Sequence, residues 1–448
     1  MEKRKKEEEE EENPPAAESL WGDLLPEIQS EILSRVPYRS LCRFKCVSTA
    51  WLALCSDPAV RRRSAKTLSG LFCYSQVDVG DGRRHYGVSF LNLSGWGRPM
   101  VDDPSSASCA ATATSRPFTA AAASSSAAAG MDVGDGRRHY GVSFLNLSGW
   151  GRPMVDDPSL SFVRGYCHVT PIHCCGGIPI CCCWKFDMSD EADFVVCNPA
   201  TKEIWAVLPV PRNEMMTRLN TARLCFDPAA PRRFKVFVFV QSFAGVQRVE
   251  VYSSDTGQWT SVGSAWSSQN LMIGEESGCV YFNGSLHLAV CHPVVKVDWE
   301  GVIRSMVTFD AERETWRRIR MPDTSNNGFF GLSQGRLYTA RVENEGKCRL
   351  LVWVLEDHAS GLWTLKCTAS ILELLGSPCR APNEFYQPVA IHPECNLIFL
   401  QDAGQEALLM SYNMDTGKLD IVCSLGDRWA QRFHPYIPCF VEKPPVPQ

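Results

Sequence analysis

The chain has 448 residues, 45% apolar and 21% charged, with a formal net charge of −5. That length allows two or three domains and a sizeable core, and the composition is that of an ordinary globular protein. The opening "MEKRKKEEEEEE" holds four positive and seven negative side chains, which is −3 of the total and leaves about −2 for the remainder, so nothing argues for nucleic acid or anionic lipid as a partner.

Residues 1–19 read as a disordered charged tail. No apolar h-region marks a signal peptide, and no run of about 18 apolar residues could span a bilayer, so the expected location is cytoplasm or nucleus. "KRKK" matches a nuclear signal, but a solvated tail is the simpler reading. The 21 cysteines are too sparse for a secreted disulfide scaffold and read as reduced thiols, mostly small core residues.

Residues 20–58 read as helical. Leu25-Pro26-Glu27 is a helix start, with Pro at the first helical position and an acid at the positive helix end. Ile28, Ile32, Leu33 and Val36 then follow as one apolar face, and Pro37 ends the helix. Leu41, Phe44 and Val47 mark a second short helix, and Trp51, Leu52 and Leu54 a third. A segment of fewer than about 40 residues with no evident metal site or disulfide cannot close a core alone. It must pack on the rest of the chain or on another protein.

From residue 66 to about 440 the texture is short runs of Val, Phe, Trp and Tyr between turn residues, and residues 441–448 form a Pro-rich tail. "DVGDGRRHYGVSFLNLSGWGRPMVDDPS" occurs twice, at Asp78–Ser105 and Asp132–Ser159, identical over 28 residues at an offset of 54. Ala and Ser fill 17 of the 25 positions 106–130 between the copies, which reads as a linker. Removing 106–159 restores one continuous strand pattern, so only one copy is expected to be seated in the fold.

Older repeats are visible around Trp205, Trp259, Trp316 and Trp363, at intervals of 54, 57 and 47 residues. Each unit is a strand, a turn containing Asx or Gly, and a strand bearing an aromatic; "SYNMDTGKLDIVCSL" is a member without the Trp. A period near 50 with about four strands fits the blades of a kelch-like β-propeller, on the order of six of them, better than a β-sandwich. The four tryptophans are the expected blade aromatics.

The search for chemistry finds little. "GLSQG" matches a nucleophile elbow, but a strand follows where a helix is needed, so Ser333 reads as a hairpin residue. Cys181, Cys182 and Cys183 alternate faces on a strand and cannot converge on one metal ion. Cys42 and Cys46 lack a second ligand pair, and His287 and His292 fall on opposite faces. "GDGRRHYG" lacks dinucleotide-loop spacing and reads as a tight turn. No catalytic residue, metal or cofactor is expected.

The segment "LLPEIQSEILSRVPYRSLCRFKCVSTAWLALCSDP" closely resembles the F-box of plant proteins: Leu25-Pro26, Glu31-Ile32-Leu33, Arg35-Val36-Pro37, Ser40-Leu41, Arg43-Phe44, Val47-Ser48, Trp51 and Asp57-Pro58 all match. "GYCHV" and "VVCNPATKEIWAVLPVP" resemble the propeller-type region that follows the F-box in such proteins. The resemblance implies a small all-α F-box followed by an all-β propeller. It implies docking on a Skp-type adaptor and, through it, on a cullin-RING scaffold, as the substrate receptor of an SCF-type ubiquitin ligase. By the same resemblance Leu25, Pro26, Ile32, Leu33, Leu41, Val47 and Trp51 would contact the adaptor, the propeller loops would hold an unknown target protein, and the chain itself would catalyse nothing. The alternative is a propeller enzyme or binding module with an incidental helical cap.

Overall fold

In the computed structural model the structure describes residues 24–36, 40–41, 44–63, 68, 70–78, 84–92, 143–146, 160–166, 168–185, 192–210, 221–228, 233–242, 245–263, 271–273, 278–291, 304–310, 315–322, 329–344, 346, 348–376, 385–402, 408–424 and 429–444. The N-terminal tail, the linker 106–130 and the "GDG" turns lie outside them. The chain divides into two compact units, 1–65 and 66–448.

In the first unit, α1 (Pro26–Ser34), α2 (Thr49–Ser56) and α3 (Pro58–Arg63) are joined by a further helical stretch at residues 40, 41 and 44. Pro26 sits at the start of α1 with Glu27 in the first turn, as expected. Ser48 caps α2, its hydroxyl accepting the Trp51 N–H at 3.2 Å. Among the described residues no helix is long and apolar enough to cross a membrane.

The second unit is an all-β propeller. Five sheets are regular antiparallel blades, each with its four strands in sequence order. Blade I is β4 (His168–Cys175), β5 (Ile178–Trp184), β6 (Ala192–Asn198) and β7 (Glu203–Pro209). Blade II is β8 (Ala222–Phe226), β9 (Phe234–Ser242), β10 (Gly245–Ser253) and β11 (Gln258–Gly263). Blade III is β12 (Cys279–Phe282), β13 (Ser285–Cys291), β14 (Arg304–Asp310) and β15 (Thr315–Arg320). Blade IV is β16 (Phe329–Ser333), β17 (Arg336–Glu343), β18 (Arg349–Asp357) and β19 (Leu362–Ser370), followed by α4 (Ile371–Leu374). Blade V is β20 (Tyr386–Ile391), β21 (Leu397–Asp402), β22 (Leu408–Asn413) and β23 (Lys418–Ser424).

A sixth sheet is built differently, in the order β24-β1-β2-β3, from β1 (Gly70–Asp78), β2 (Arg84–Asn92), β3 (Ser143–Asn146) and the last strand β24 (Trp429–Tyr436). The expected six blades thus resolve into five regular ones and one composite sheet. The first strands β4, β8, β12, β16 and β20, together with β24, neighbour one another in a closed circuit. The ring closes where β24 pairs antiparallel with β1, joining the two ends of this unit.

Sequence texture follows position in the blade. The inner strands β6 and β8 are buried along their whole length and read as continuous apolar runs. The outermost strands, such as β15 ("TWRRIR"), are mostly exposed and carry charge, which guards a free sheet edge against pairing. Two-residue turns with positive φ at both positions join first and second strands at Gly176-Gly177, Asn283-Gly284 and Gln334-Gly335, the twist an antiparallel hairpin favours. Third and fourth strands of blades I, II, IV and V are joined by a four-residue turn. In it Gly257, Gly361 and Gly417 take positive φ and donate their N–H to the carbonyl four residues back at 2.8–2.9 Å. Asp357 and Asn413 brace two of these turns by accepting backbone N–H groups two and three residues on.

The apolar cores lie between blades rather than within them. One holds Phe194 and Trp205 of blade I against Leu224, Phe226 and Phe234 of blade II. Others join II with III, III with IV, IV with V, and V with the sixth sheet. Past the end of β24, the Cys439 carbonyl accepts the Asn198 amide of blade I at 2.9 Å.

Candidate functional site

Only Leu33, Leu41, Cys55 and Val60 form the buried apolar core among the described residues of the helical unit. The Glu31 carboxylate ties the helices together. It accepts the guanidinium of Arg35 one turn on at 3.0 Å and that of Arg63 on α3, whose other contact is the Ser34 hydroxyl at 3.1 Å. Trp51 is half-buried, its ring edge-on to Phe44 with centroids 5.3 Å apart.

Of the seven expected contact residues, Trp51 is half-buried and the other six fall into two groups. Leu33 and Leu41 are 1% and 0% exposed and point into the unit's own core. Leu25 and Val47 are each 63% exposed, Ile32 is 42% exposed, and Pro26 is exposed as well. The single apolar face expected for Ile28, Ile32, Leu33 and Val36 therefore splits. Leu25, Ile28 and Ile32, spaced by three and four residues, line one outward stripe of α1, while Leu33 lies about 100° round the helix and faces inward. Ile28 (44% exposed) and Leu52 (47%) join the outward set. The contact set read from the sequence omitted both, although they stood in the apolar pattern. Five large aliphatic side chains are thus exposed to water on a unit whose buried apolar core, among the described residues, is four side chains, one of them a cysteine. A surface of this kind marks a place for another apolar surface.

In the propeller the four expected aromatics occupy the fourth strand of blades I to IV. Trp205 is buried against Phe226 of the next blade, centroids 5.1 Å apart, and among the described residues its indole N–H finds no acceptor. Trp259 and Trp316 pack on Tyr252 and Phe309, their cross-strand partners. Trp363 donates its indole N–H to the Arg320 carbonyl of blade III at 3.1 Å. In blade V, Leu419 stands opposite Tyr412 where the tryptophan would be. All four lie in or against apolar clusters shared by neighbouring blades.

Cys181 and Cys183 join one cluster and Cys182 the opposite one, as strand alternation requires. Burial pushes the Cys182 thiol up to about 12. Among the described residues no group of three or more His, Cys, Asp or Glu could hold a metal ion. Ser333 sits in a hairpin and donates to the Cys395 carbonyl at 3.3 Å. Burial lowers His287 to about 4, and its Nδ1 lies 3.1 Å from the Thr308 hydroxyl; His292 and Cys42 fall outside the described residues. No motif or spacing singled out His173, which is buried on β4 and accepts the Leu224 N–H at 3.1 Å; burial and then the Arg223 charge hold it neutral.

Comparison with known proteins agrees with both units. Residues 21–63 match the F-box domain, and residues 160–440 match the family described as F-box protein At3g26010-like, beta-propeller. F-box protein At5g07610 of Arabidopsis thaliana is 23% identical over 389 residues, covering 81% of this chain and 74% of that one. F-box protein At5g49610 of the same plant is 23% identical over 380 residues, covering 78% and 80%. Among solved structures, AofleA from Arthrobotrys oligospora aligns with 62% of this chain and 72% of its own at 12% identity and a TM-score of 0.31, too low to carry an argument. The chain belongs to the At3g26010-like β-propeller family of F-box proteins.

Proposed function

We propose that this protein is the substrate-recognition subunit of an SCF-type ubiquitin ligase, working in the cytoplasm or nucleus. Its F-box binds a Skp-type adaptor, which links it to a cullin-RING scaffold. The propeller holds a target protein, and other subunits transfer ubiquitin once the target is close. The observation that carries this reading is the outward apolar set Leu25, Ile28, Ile32, Val47 and Leu52 on a unit whose own core is four side chains. An adaptor supplying a complementary apolar surface would complete that core across two chains. Leu33 and Leu41 would then act indirectly, by holding the helices in position, and Trp51 would contribute its exposed part. The loops between blades suit target binding because a rigid ring carries them and their sequence is free to vary.

The test is co-purification of the full chain with a plant Skp-type adaptor, alongside an Ile32→Asp/Val47→Asp variant. Stable complex with the parent and none with the variant, at unchanged circular dichroism, is the expected result. A folded parent chain that ignores the adaptor overturns the proposal.

A further inference from the structure

The composite sixth sheet contains a strand from each copy of the 28-residue duplication. β1 pairs antiparallel with copy one along the whole of β2, from Gly70 opposite Asn92 to Asp78 opposite Arg84. Copy two adds β3 on the far side of β2, in parallel, with Ser89, Phe90, Leu91 and Asn92 opposite Ser143, Phe144, Leu145 and Asn146. Each of those residues stands opposite its own duplicate. Copy one pairs with β1, and four residues of copy two also join the sheet, where a single seated copy was expected.

We propose that the two copies exchange places. Copy two can take the inner position beside β1 through residues 138–146, with residues 89–92 of copy one moving to the outer position. The two segments are identical, so every ladder pairing made in one arrangement has its counterpart in the other. Only connectivity differs. Exchange lengthens the connection after β1 from 79–83 to 79–88, five residues to ten. It shortens the connection between the copies from 93–142 to 93–137, fifty residues to forty-five, and leaves 147–159 unchanged. Closure probability falls with about the 3/2 power of loop length, so the observed arrangement is favoured by only about two- to threefold. Sheet six is then a two-state element whose balance any partner with a preference for one arrangement would shift.

Proline substitution tests this on the full chain. Val88 lies opposite Tyr74 of β1, and Val142 is its duplicate, one residue before the four-residue outer ladder. A proline at either position bars that copy from the inner place. With exchange available, V88P moves the thermal midpoint by no more than about 1–2 °C and V142P by less, while V88P/V142P falls by at least about 5 °C. Either single variant falling as far as the double overturns the proposal, and so does a double variant as stable as the parent, since the inner place would then carry no stability.

Cross-linking provides a second readout that needs no unfolding. Cys73 is the cross-strand partner of Ser89, and in the exchanged arrangement it stands opposite Ser143. Directly opposed Cα atoms in such a ladder are within disulfide reach. Ser89→Cys and Ser143→Cys are made in separate chains, because the two copies give identical peptides. Mild oxidation is expected to link Cys73 to the thiol of the Ser143→Cys chain in at least a tenth of the yield obtained with the Ser89→Cys chain. A lower yield means that copy one holds the inner place alone.

Discussion

Leu25, Ile32 and Val47 together give the sharpest test of how the F-box surface works. Replacing all three by Ala removes side chains that are 63%, 42% and 63% exposed in the free unit. Full burial of such a side chain is worth about 1.5–3 kcal/mol, and only the part still exposed can be gained on binding. The exposed fractions then amount to about 3 kcal/mol once the alanine methyls are allowed for, a weakening of adaptor binding by roughly 150-fold. The fold should hold, because none of the three belongs to the buried set. Leu33→Ala reverses the pattern. Its side chain has almost nothing left to bury against a partner, yet its loss from a four-residue core should cost about 2–5 kcal/mol of stability and loosen the helices. Calorimetric titration of a Skp-type adaptor into each full-length variant, with far-ultraviolet circular dichroism as the folding control, separates the two effects. A triple variant that binds within fivefold of the parent would refute the reasoning. So would a Leu33→Ala chain that stays folded and still loses binding further than the triple variant does.

The propeller makes its own predictions. Trp205→Ala should lower stability by about 3–5 kcal/mol, whereas Trp205→Phe should cost far less because, among the described residues, the indole N–H has no acceptor to lose; urea titration followed by fluorescence measures both. Trp363→Phe should instead cost about 0.5–1.5 kcal/mol, the bond to the Arg320 carbonyl. Lys202 takes the left-handed position that Gly257, Gly361 and Gly417 fill in the equivalent turns, so Lys202→Gly should raise stability by about 1 kcal/mol in the same titration. A Cβ at Gly177 would overlap the Ile437 carbonyl oxygen at a φ of +84°, so Gly177→Ala should lower the thermal midpoint measurably. Burial depresses His287 in the folded chain, so the unfolded chain takes up a proton first. Its contribution is fully present above pH about 6.5 and is lost as pH falls towards about 4; His287→Gln should flatten that part of the stability profile.

Much of this architecture was legible because it is written in local chemistry. Pro26 with Glu27 marks the start of α1, and Ser48 caps α2. The Asp-x-x-x-Gly and Asn-x-x-x-Gly turns announce the third hairpin of a blade, since few residues besides glycine take the left-handed conformation cheaply. The tryptophan that follows them recurs because each blade must fill the same gap against its neighbour. Strand alternation alone separated Cys182 from Cys181 and Cys183. The composite sheet was hidden because β24 is distant in the chain from β1 and only ring closure brings them together. His173 was hidden for a related reason: its partner is the backbone of the next blade.

By itself the sequence determined the kinds of element, their order, the repeat that makes blades, and the F-box pattern, because all of these rest on contacts between residues near one another in the chain. The tertiary structure alone decided which aliphatic side chains of α1 turn inward and which face water, since a helical stripe does not say which of its edges the neighbouring helices will cover. It alone decided, too, how the ring closes and where two identical strands sit side by side, because pairing between distant segments is selected by the space the other blades leave open.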